Sequence, residues 1–289
     1  MKFEIVTDSC ANLPEDIIEE NNVHVLSLSF FVDGKEYFSY EKGKKTDLSE
    51  FYRMMRDKKE ITTSLVNVEQ MISCFEPILQ QGKDILYLCF SSGLSGTYQS
   101  ATIAAEEMRE KYPERKIYVL DTLAAALGQG LLVYFSVEQR KEGKTIEEVY
   151  QWQLDNRLKL CHWFTVDDLF FLKRGGRISA ATAVVGTALN IKPVLHVDDE
   201  GHLINMEKAR GRKKSLDMLV KHFEETAIDP GKTPVFISHG DCMEDAKYLE
   251  AKLKENCGVS KVLIHMLDPV IGAHAGPGTV AIFFVGEHR

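Results

Sequence analysis

A loop rich in hydroxyl groups separates an apolar run from a helical pattern in the first half of the chain. Residues 90–101 read Phe-Ser-Ser-Gly-Leu-Ser-Gly-Thr-Tyr-Gln-Ser-Ala, which places Ser92, Ser95 and Gly96 just before a helix expected from Thr97. The first turn of a helix leaves N–H donors unpaired and favours negative charge, so this loop suits an oxyanion. It lacks the lysine of a nucleotide-binding P-loop, and we therefore expect a small, singly charged group such as a carboxylate. In the alternative interpretation, the serines only cap the helix.

One histidine, His274, lies among small residues in the segment Asp-Pro-Val-Ile-Gly-Ala-His-Ala-Gly-Pro-Gly-Thr at 268–279. The pattern predicts a loop that enters a strand at Thr279. Imidazole can hydrogen-bond an oxyanion, and the neighbouring glycines would let a ligand approach the backbone. His274 is therefore a candidate for ligand recognition, and the alternative is a histidine that only packs.

Thr63 lies in a Thr-Thr-Ser segment at 62–64, ahead of a helix that Asn67 is expected to cap. Loops that follow the strands of a parallel α/β sheet gather at its carboxyl edge, where ligands bind. We therefore expect Thr63 to face the loop at 91–97. In the alternative interpretation, the two threonines only lead into the helix.

Two glycines, Gly128 and Gly130, lie inside the helical pattern at 124–141. Each glycine in a helix costs ~1 kcal/mol relative to alanine. Their small size would let another backbone, or a slender apolar ligand, approach the helix closely. The alternative is that they only let the helix pack against a sheet.

Two basic runs lie in the second half of the chain, at 172–179 and at 208–214. The first contains Arg174 and Arg177 beside a glycine pair, and the second contains Arg210. Such runs are usually solvated surface. In an acidic protein, two of them could instead dock an acidic partner or a phosphate-bearing substrate.

Composition excludes several classes of function. The chain has 289 residues, 44% of them hydrophobic, and 35 Lys+Arg against 43 Asp+Glu give a net charge of −8. This balance argues against nucleic-acid or anionic-membrane binding as the main role. Glu4 and Asp8 interrupt the first apolar residues, so we expect no signal peptide there; no apolar run reaches membrane length, and the six cysteines form no Cys-x-x-Cys pair. We therefore expect a cytoplasmic protein with no metal site and no stable membrane insertion.

The expected elements that position these residues alternate between strand and helix in the first half. Capping-box spacings begin helices near 47, 67 and 145. The rhythm predicts a mostly parallel sheet with helices on both faces. Strands are predicted at 3–7, 23–32, 84–90 and 116–120, and helices at 14–20, 47–57, 67–81, 97–111, 124–141 and 145–160.

In the second half, the pattern of strands and helices predicts another α/β domain with a mixed sheet. An Asp-Asp-Glu-Gly turn at 198–201 indicates a hairpin. We place domains at 1–160 and 161–289, with a ligand site in the cleft between them. Strands are predicted at 163–166, 193–197, 203–208, 235–239, 262–266 and 279–285, and helices at 167–172, 180–189, 213–226 and 243–256.

Taken together, the motifs resemble those of the DegV family, and the resemblance runs from end to end. One departure concerns the threonine motif, which the family usually continues with Gln-Pro-Ser, whereas this chain has Leu65, Val66 and Asn67. The matching segments, in order, are 6–9, 62–64, 91–101, 121–122, 166–178, 191–195 and 272–279.

The resemblance implies a bacterial-type, lipid-binding protein that holds one long-chain fatty acid, palmitate- or oleate-like, in a tunnel between its domains. It implies no cofactor and no enzymatic activity of its own. The carboxylate would be held by Thr63 and Ser95, in a pocket completed by His274, with Ser92 and Gly96 in the same loop. A separate fatty acid kinase would convert the bound acid to an acyl phosphate for phospholipid metabolism. The partner-docking residues would be Arg174, Arg177 and Arg210.

Energetics agree with a carrier. Each buried methylene contributes ~0.8 kcal/mol, so about fifteen give a gross gain near ~12 kcal/mol before the costs of association. The tail would supply affinity, and the head group would fix the orientation. One alternative is an enzyme or phosphotransfer protein acting on a small phosphorylated or keto substrate, because the family's first domain resembles dihydroxyacetone-kinase and sugar-phosphotransferase folds. A further alternative is a regulatory module that acts through the basic runs.

Overall fold

The computed structural model describes residues 2–44, 46–179 and 190–289. Four parallel strands form its first sheet, in the order β2-β1-β6-β7. The predicted mostly parallel sheet is therefore confirmed. Its strands are β1 (Phe3–Asp8), β2 (Val23–Leu26), β6 (Asp84–Cys89) and β7 (Ile117–Asp121).

Helices cover both faces of this sheet because its strands are apolar on both sides. In β6, Ile85 and Tyr87 pack against one helical layer, whereas Leu86 and Leu88 pack on the opposite side. A helix begins at Glu15, near the predicted start. The helices of this half are α1 (Glu15–Glu20), α2 (Leu48–Arg56), α3 (Val68–Gln80), α4 (Thr97–Lys111), α5 (Leu127–Lys141) and α6 (Ile146–Asn156).

Two of the predicted capping boxes are complete. Asn67 exchanges hydrogen bonds with Gln70 at the start of α3, and Thr145 does so with Glu148 at the start of α6. At α2, Asp47 accepts from the backbone N–H of residue 50. Local side-chain chemistry therefore fixes where these helices begin.

A small antiparallel sheet, absent from the sequence prediction, contains β3 (Ser29–Val32), β4 (Lys35–Phe38) and β5 (Ile61–Ser64). The single strand predicted at 23–32 is wrong, because the chain leaves the first sheet after β2. Ser27 Oγ donates to the carbonyl of Leu28 and accepts from the Tyr40 N–H, and these bonds replace ladder pairing. The Thr-Thr-Ser segment therefore belongs to strand β5, and it is not merely a connection that leads into α3.

Six strands form the mixed sheet of the second half, in the order β10-β9-β8-β13-β11-β12, and only the β11–β12 pair is parallel. The predicted hairpin joins β9 to β10, where Asp198 accepts from two backbone N–H groups of the turn. The strands are β8 (Leu160–Thr165), β9 (Ile191–Val197), β10 (Leu203–Arg210), β11 (Val235–His239), β12 (Val262–Met266) and β13 (Val280–Val285).

The helices of the second half include two long ones on the outer face of this sheet, α8 (Arg212–Thr226) and α9 (Met243–Cys257). A short helix, α7 (Phe170–Arg174), begins later than predicted because Asp168 accepts from the backbone N–H of residue 170. The helix predicted at 180–189 lies outside the described residues.

The segment at 268–279 differs from its sequence prediction. It was expected to be a loop, but it contains a helix, α10 (Pro269–Ala275). Asp268 accepts from the Ile271 N–H as N-cap, and proline stands at the first helical position, where its fixed φ suits a helix. Gly276 ends the helix with φ +87.

Helix α5 lies between the two larger sheets, where it contacts β1 and β6 on one side and β11 and β13 on the other. A Cβ added to Gly130 would lie 2.6 Å from the Ala11 carbonyl oxygen, so the expected close approach of another backbone is present. The first two sheets use residues 3–121, and the six-stranded sheet uses 160–285. The division into domains at 160 and 161 stays a prediction.

Candidate functional site

A cavity of ≈ 310 Å³ lies against the six-stranded sheet, β5 and the loop that follows β6. Its volume falls in the range of small-molecule sites, ~300–1,000 Å³. Thr63, Ser95, Gly96 and His274 all line it, so the structure brings together four of the five residues predicted from the sequence to hold the ligand.

Thr63 and His274 are directly joined. Thr63 Oγ1 and His274 Nε2 form a hydrogen bond of 2.8 Å. Thr63 is held by β5, whose pairing with β3 places it opposite Phe30. His274 is held in the last turn of α10. The two side chains therefore meet through one antiparallel ladder and one capped helix.

The imidazole of His274 is neutral at pH 7. Burial, with smaller contributions from the positive charges of Arg177 and Arg174, lowers its pKa to about 4. Gly175 lies directly against the ring, because a Cβ added there would overlap His274 Nδ1. A base this weak is poorly matched to proton abstraction at neutral pH. The pair of Thr63 and His274 therefore suits hydrogen bonding to a ligand better than nucleophilic catalysis.

The loop at 91–96, here called the serine loop, lines the cavity only near its end, with Ser95 and Gly96. Ser95 Oγ lies 2.9 Å from Thr97 Oγ1 at the start of α4, and it also accepts from the Thr97 N–H. Ser92 is exposed, and its backbone N–H donates to Asp121, so the structure does not bring it to the cavity lining. Ser91, by contrast, is buried and donates to the carbonyl of Gly201 in the hairpin after β9.

The departure from the family's usual threonine motif has a defined structure. Leu65 lines the cavity and lies next to Gly96, with its Cδ2 atom 3.2 Å from the position of an added Cβ. Val66 is fully buried, and Asn67 caps α3. Asparagine is as good an N-cap as serine, so the change keeps the cap and adds apolar surface at the cavity.

Arg177 lies at the cavity, which the sequence did not indicate. Its Nε donates to the Leu94 carbonyl at 3.1 Å, and its Nη1 donates to the Gly175 carbonyl. It was predicted to face a protein partner, but these contacts tie the segment after α7 to the serine loop. Among the described residues that line the cavity, Arg177 is the only one with a formal charge at pH 7.

The other two predicted docking residues lie outside the cavity lining. Arg174 is exposed, donates to the Ala273 carbonyl at 3.3 Å, and has its guanidinium over the rings of Phe170 and Phe171. Arg210 is exposed at the end of β10. Neither observation tests a role in docking.

The rest of the cavity wall is apolar. Ala281 and Phe283 on β13 face the cavity, as does Thr279 just before the strand, and the alternate residues Val280 and Ile282 face the layer of α8 and α9. Phe164 on β8 lies opposite Ala281. With strand residues rising ~3.3 Å each, the wall from Thr279 to Phe283 extends about 13 Å from the polar end. Sequence periodicity could not identify this face, because both faces of β13 are apolar.

Within residues 2–44, 46–179 and 190–289, no helix combines the length and the apolar character needed to cross a bilayer. In the same ranges, no three His, Cys, Asp or Glu side chains are grouped so as to hold a metal ion.

The chain matches a family model over almost its whole length. The family is described as "Uncharacterised protein, DegV family", and the match covers residues 2–287. A DegV domain-containing protein from Clostridium perfringens is 46% identical over 288 residues, which are 100% of this chain and 99% of the relative.

Solved structures agree with that match. A DegV family protein from Thermus thermophilus, described for its fatty acid binding, is 32% identical with a TM-score of 0.89 over 99% of this chain and 100% of that one. A fatty acid binding DegV family protein from Streptococcus agalactiae is 28% identical with a TM-score of 0.86 over 100% of both chains. The α/β fold predicted from the sequence is therefore confirmed.

Proposed function

The chain belongs to the DegV family, and we propose that it binds one long-chain fatty acid with the carboxylate at Thr63, Ser95 and His274. One observation carries the proposal. The cavity has an apolar wall, and Arg177 is the only formal charge on its described lining. An apolar body with a single negative charge is the ligand that such a lining matches.

The head group finds hydrogen-bond donors at the polar end. The hydroxyls of Thr63 and Ser95 donate to the carboxylate, and the nearby N-terminus of α4 favours its negative charge. Arg177 adds a positive charge in a partly buried position, where solvent screens it less than at the surface. A buried carboxylate needs such partners, because without them its desolvation is very costly.

The tail lies along the apolar wall formed by Ala281, Phe283 and their neighbours on β8. It supplies most of the binding free energy, at ~0.8 kcal/mol for each buried methylene. Palmitate- or oleate-like acids are the expected class. The two solved relatives described as fatty acid binding proteins support this assignment.

The protein is a carrier that presents the acid, and a separate kinase phosphorylates it. Gly96, Ser64 and Leu65 are exposed as well as lining the cavity, so the carboxylate end lies near the surface. Arg174 and Arg210 are exposed and available to an acidic partner. Arg177 instead donates hydrogen bonds within the site, to the carbonyls of Leu94 and Gly175. The pKa of His274, about 4, disfavours catalysis by this chain itself.

Phosphorylation separates the carrier from the enzyme that the alternative interpretation requires. Palmitate-loaded protein is incubated with ATP, alone or with a bacterial fatty acid kinase, and acyl phosphate is trapped as the hydroxamate. We expect product only with the kinase. Product with ATP alone, or phosphohistidine at His274, would instead identify an enzyme.

Docking is tested with an exposed arginine that has no place in the cavity. Arg210→Ala should retain palmitate as the parent protein does and should slow the kinase reaction. Lys261→Ala, another exposed cation near the start of β12, is the matched control. Equal rates for the Arg210→Ala variant and the parent would remove Arg210 from the docking face.

A further inference from the structure

The apolar wall of the cavity ends at one level of the six-stranded sheet. His162 on β8 lies opposite Phe283 on β13, and both residues line the cavity. The next residues on the same face of these two strands, Leu160 and Val285, lie opposite each other, but neither of them lines it. The end of the wall that is away from Thr279 is therefore closed by the His162 and Phe283 rings.

Helix α5 occupies the space behind these two rings. A Cβ added to Gly128 would overlap His162 Nε2 and would lie 2.8 Å from Phe283 Cδ1. Only glycine therefore lets the helix lie this close to both rings. The rings meet edge to face, with centroids 5.4 Å apart and an interplanar angle of 88°. The imidazole consequently has no room to move toward α5 and admit a longer ligand.

The orientation of the His162 ring is also fixed by a hydrogen bond. Its Nδ1 donates to the Leu160 carbonyl at 3.1 Å, which places the proton of the neutral ring on Nδ1. Burial, with a smaller contribution from the positive charge of Arg289, lowers the pKa of the imidazole well below its ordinary value, so the ring is neutral at pH 7. The imidazole therefore presents a rigid, uncharged surface at the end of the cavity.

We propose that His162 determines the longest acyl chain that the cavity accepts, and that Gly128 positions its ring. This inference rests on the proposed function and adds the length of the acid to it. The terminal methyl group of the tail stops against the imidazole and the ring of Phe283. Because protein interiors are close-packed, a chain that continued beyond this level would have to displace one of these rings.

Removal of the imidazole tests the proposal. His162→Ala opens room beyond the present end of the cavity, so longer acids should fit. Displacement of a fluorescent fatty acid measures the affinity of saturated acids of eight to twenty carbons. Each further buried methylene raises affinity about fourfold, so an acid about two carbons longer than the tightest ligand of the parent should gain at least tenfold relative to that ligand. An unchanged optimum would overturn the proposal.

A methyl group at Gly128 should have the opposite effect. Gly128→Ala pushes the imidazole and the ring of Phe283 toward the cavity, because the added Cβ takes the space that they occupy. We expect the tightest ligand to be about two carbons shorter than that of the parent. A loss of stability alone would weaken the binding of all acids alike and would not move the optimum in opposite directions in the two variants. An optimum that stays or lengthens in Gly128→Ala would overturn the proposal.

Two matched controls make the same substitutions away from the cavity. His196 on β9 is also buried, but it faces the opposite side of the sheet, where its ring lies 4.3 Å from the ring of Trp163. Gly231 has only a carbonyl oxygen, at 3.7 Å, near an added Cβ. We expect His196→Ala and Gly231→Ala to keep the optimum of the parent. A lengthened optimum in His196→Ala would mean that loosening of the sheet sets the length, and it would overturn the assignment to His162.

A smaller truncation serves if His162→Ala does not fold. His162→Val keeps a side chain that suits a strand and is smaller than imidazole, so it should also lengthen the optimum. A folded His162→Val variant with the optimum of the parent would overturn the proposal. Failure of the parent to bind any of the acids would overturn the proposed function and this inference together. Binding with one optimum in all variants would overturn only the assignment of chain length to His162.

Discussion

Thr63 and His274 lie 211 residues apart in the chain and are joined by a 2.8 Å hydrogen bond between Oγ1 and Nε2. One residue belongs to a strand of the small antiparallel sheet, and the other ends a helix that precedes β13. The proposed head-group pocket therefore forms only when the two halves of the chain are folded together. Substitutions of Thr63, and of residues that position His274, can therefore test the site.

Removal of the Thr63 hydroxyl should weaken fatty acid binding. A hydrogen bond to a charged group contributes about 1.5–3 kcal/mol, so Thr63→Ala should bind palmitate roughly ten- to a hundred-fold more weakly. Thr63→Ser keeps the hydroxyl and should stay close to the parent. Displacement of a fluorescent fatty acid measures both affinities. Equal affinities for the alanine variant and the parent would mean that Thr63 does not touch the carboxylate.

A methyl group at Gly175 should displace His274. A Cβ at this position would overlap the imidazole Nδ1, so Gly175→Ala forces the ring away from Thr63. We expect weaker palmitate binding in a folded protein. Gly231→Ala is the matched control, because its nearest neighbour would lie 3.7 Å from the added Cβ. The prediction is wrong if the two variants bind palmitate equally well, as measured by the same displacement assay.

A bulky side chain at Ala281 should shorten the space for the acyl tail. Ala281 faces the cavity from the middle of its β13 wall, so Ala281→Phe fills the path beyond it. Each excluded methylene costs ~0.8 kcal/mol, or about fourfold in affinity, so the loss should grow with chain length. Titrations with acids of eight to eighteen carbons measure this slope. A loss that is the same for every chain length would place the tail elsewhere.

The Asp268 carboxyl should make the folded protein less stable as the pH rises. Its folded pKa, about 7, lies above the ordinary aspartate value of 3.8, so the folded state binds more protons between these limits. Its contribution to stability is therefore full at low pH and is lost as the pH rises through 7, by up to about 1.4 kcal/mol for each pH unit.

The buried histidines act in the opposite direction. The pKa of His274 is lowered from 6.5 to about 4, so its contribution rises with pH across that window. Urea unfolding of the parent and of Asp268→Asn from pH 5 to pH 8 separates the two effects. The difference, parent minus variant, should fall with rising pH. A flat difference would show that Asp268 titrates at its ordinary pKa.

Local signals in the sequence were sufficient for much of the fold. The capping boxes at Asn67 and Thr145 predicted where two helices begin, and alternating strand and helix patterns predicted the parallel sheet. The small antiparallel sheet was missed because its edge strand β4 is exposed along its whole length and carries no apolar alternation. Such a strand is defined by its partner, not by its own residues.

The candidate site was predictable only in part. Hydroxyl, glycine and imidazole residues in loop-like segments indicated Thr63, Ser95 and His274, which the structure brings to one cavity. Arg177 was missed as a cavity residue because its position depends on hydrogen bonds to the Leu94 and Gly175 carbonyls. Ser92 does not line the cavity, and composition cannot tell which hydroxyls of one loop face inward.

Native mass spectrometry of delipidated protein tests the central claim most directly. The folded protein is mixed with palmitate and, separately, with methyl palmitate, which has the same tail and no negative charge. We expect one palmitate bound per chain and much weaker retention of the ester, because the head-group pocket selects a carboxylate. No uptake of palmitate, or equal uptake of the ester, would contradict the account.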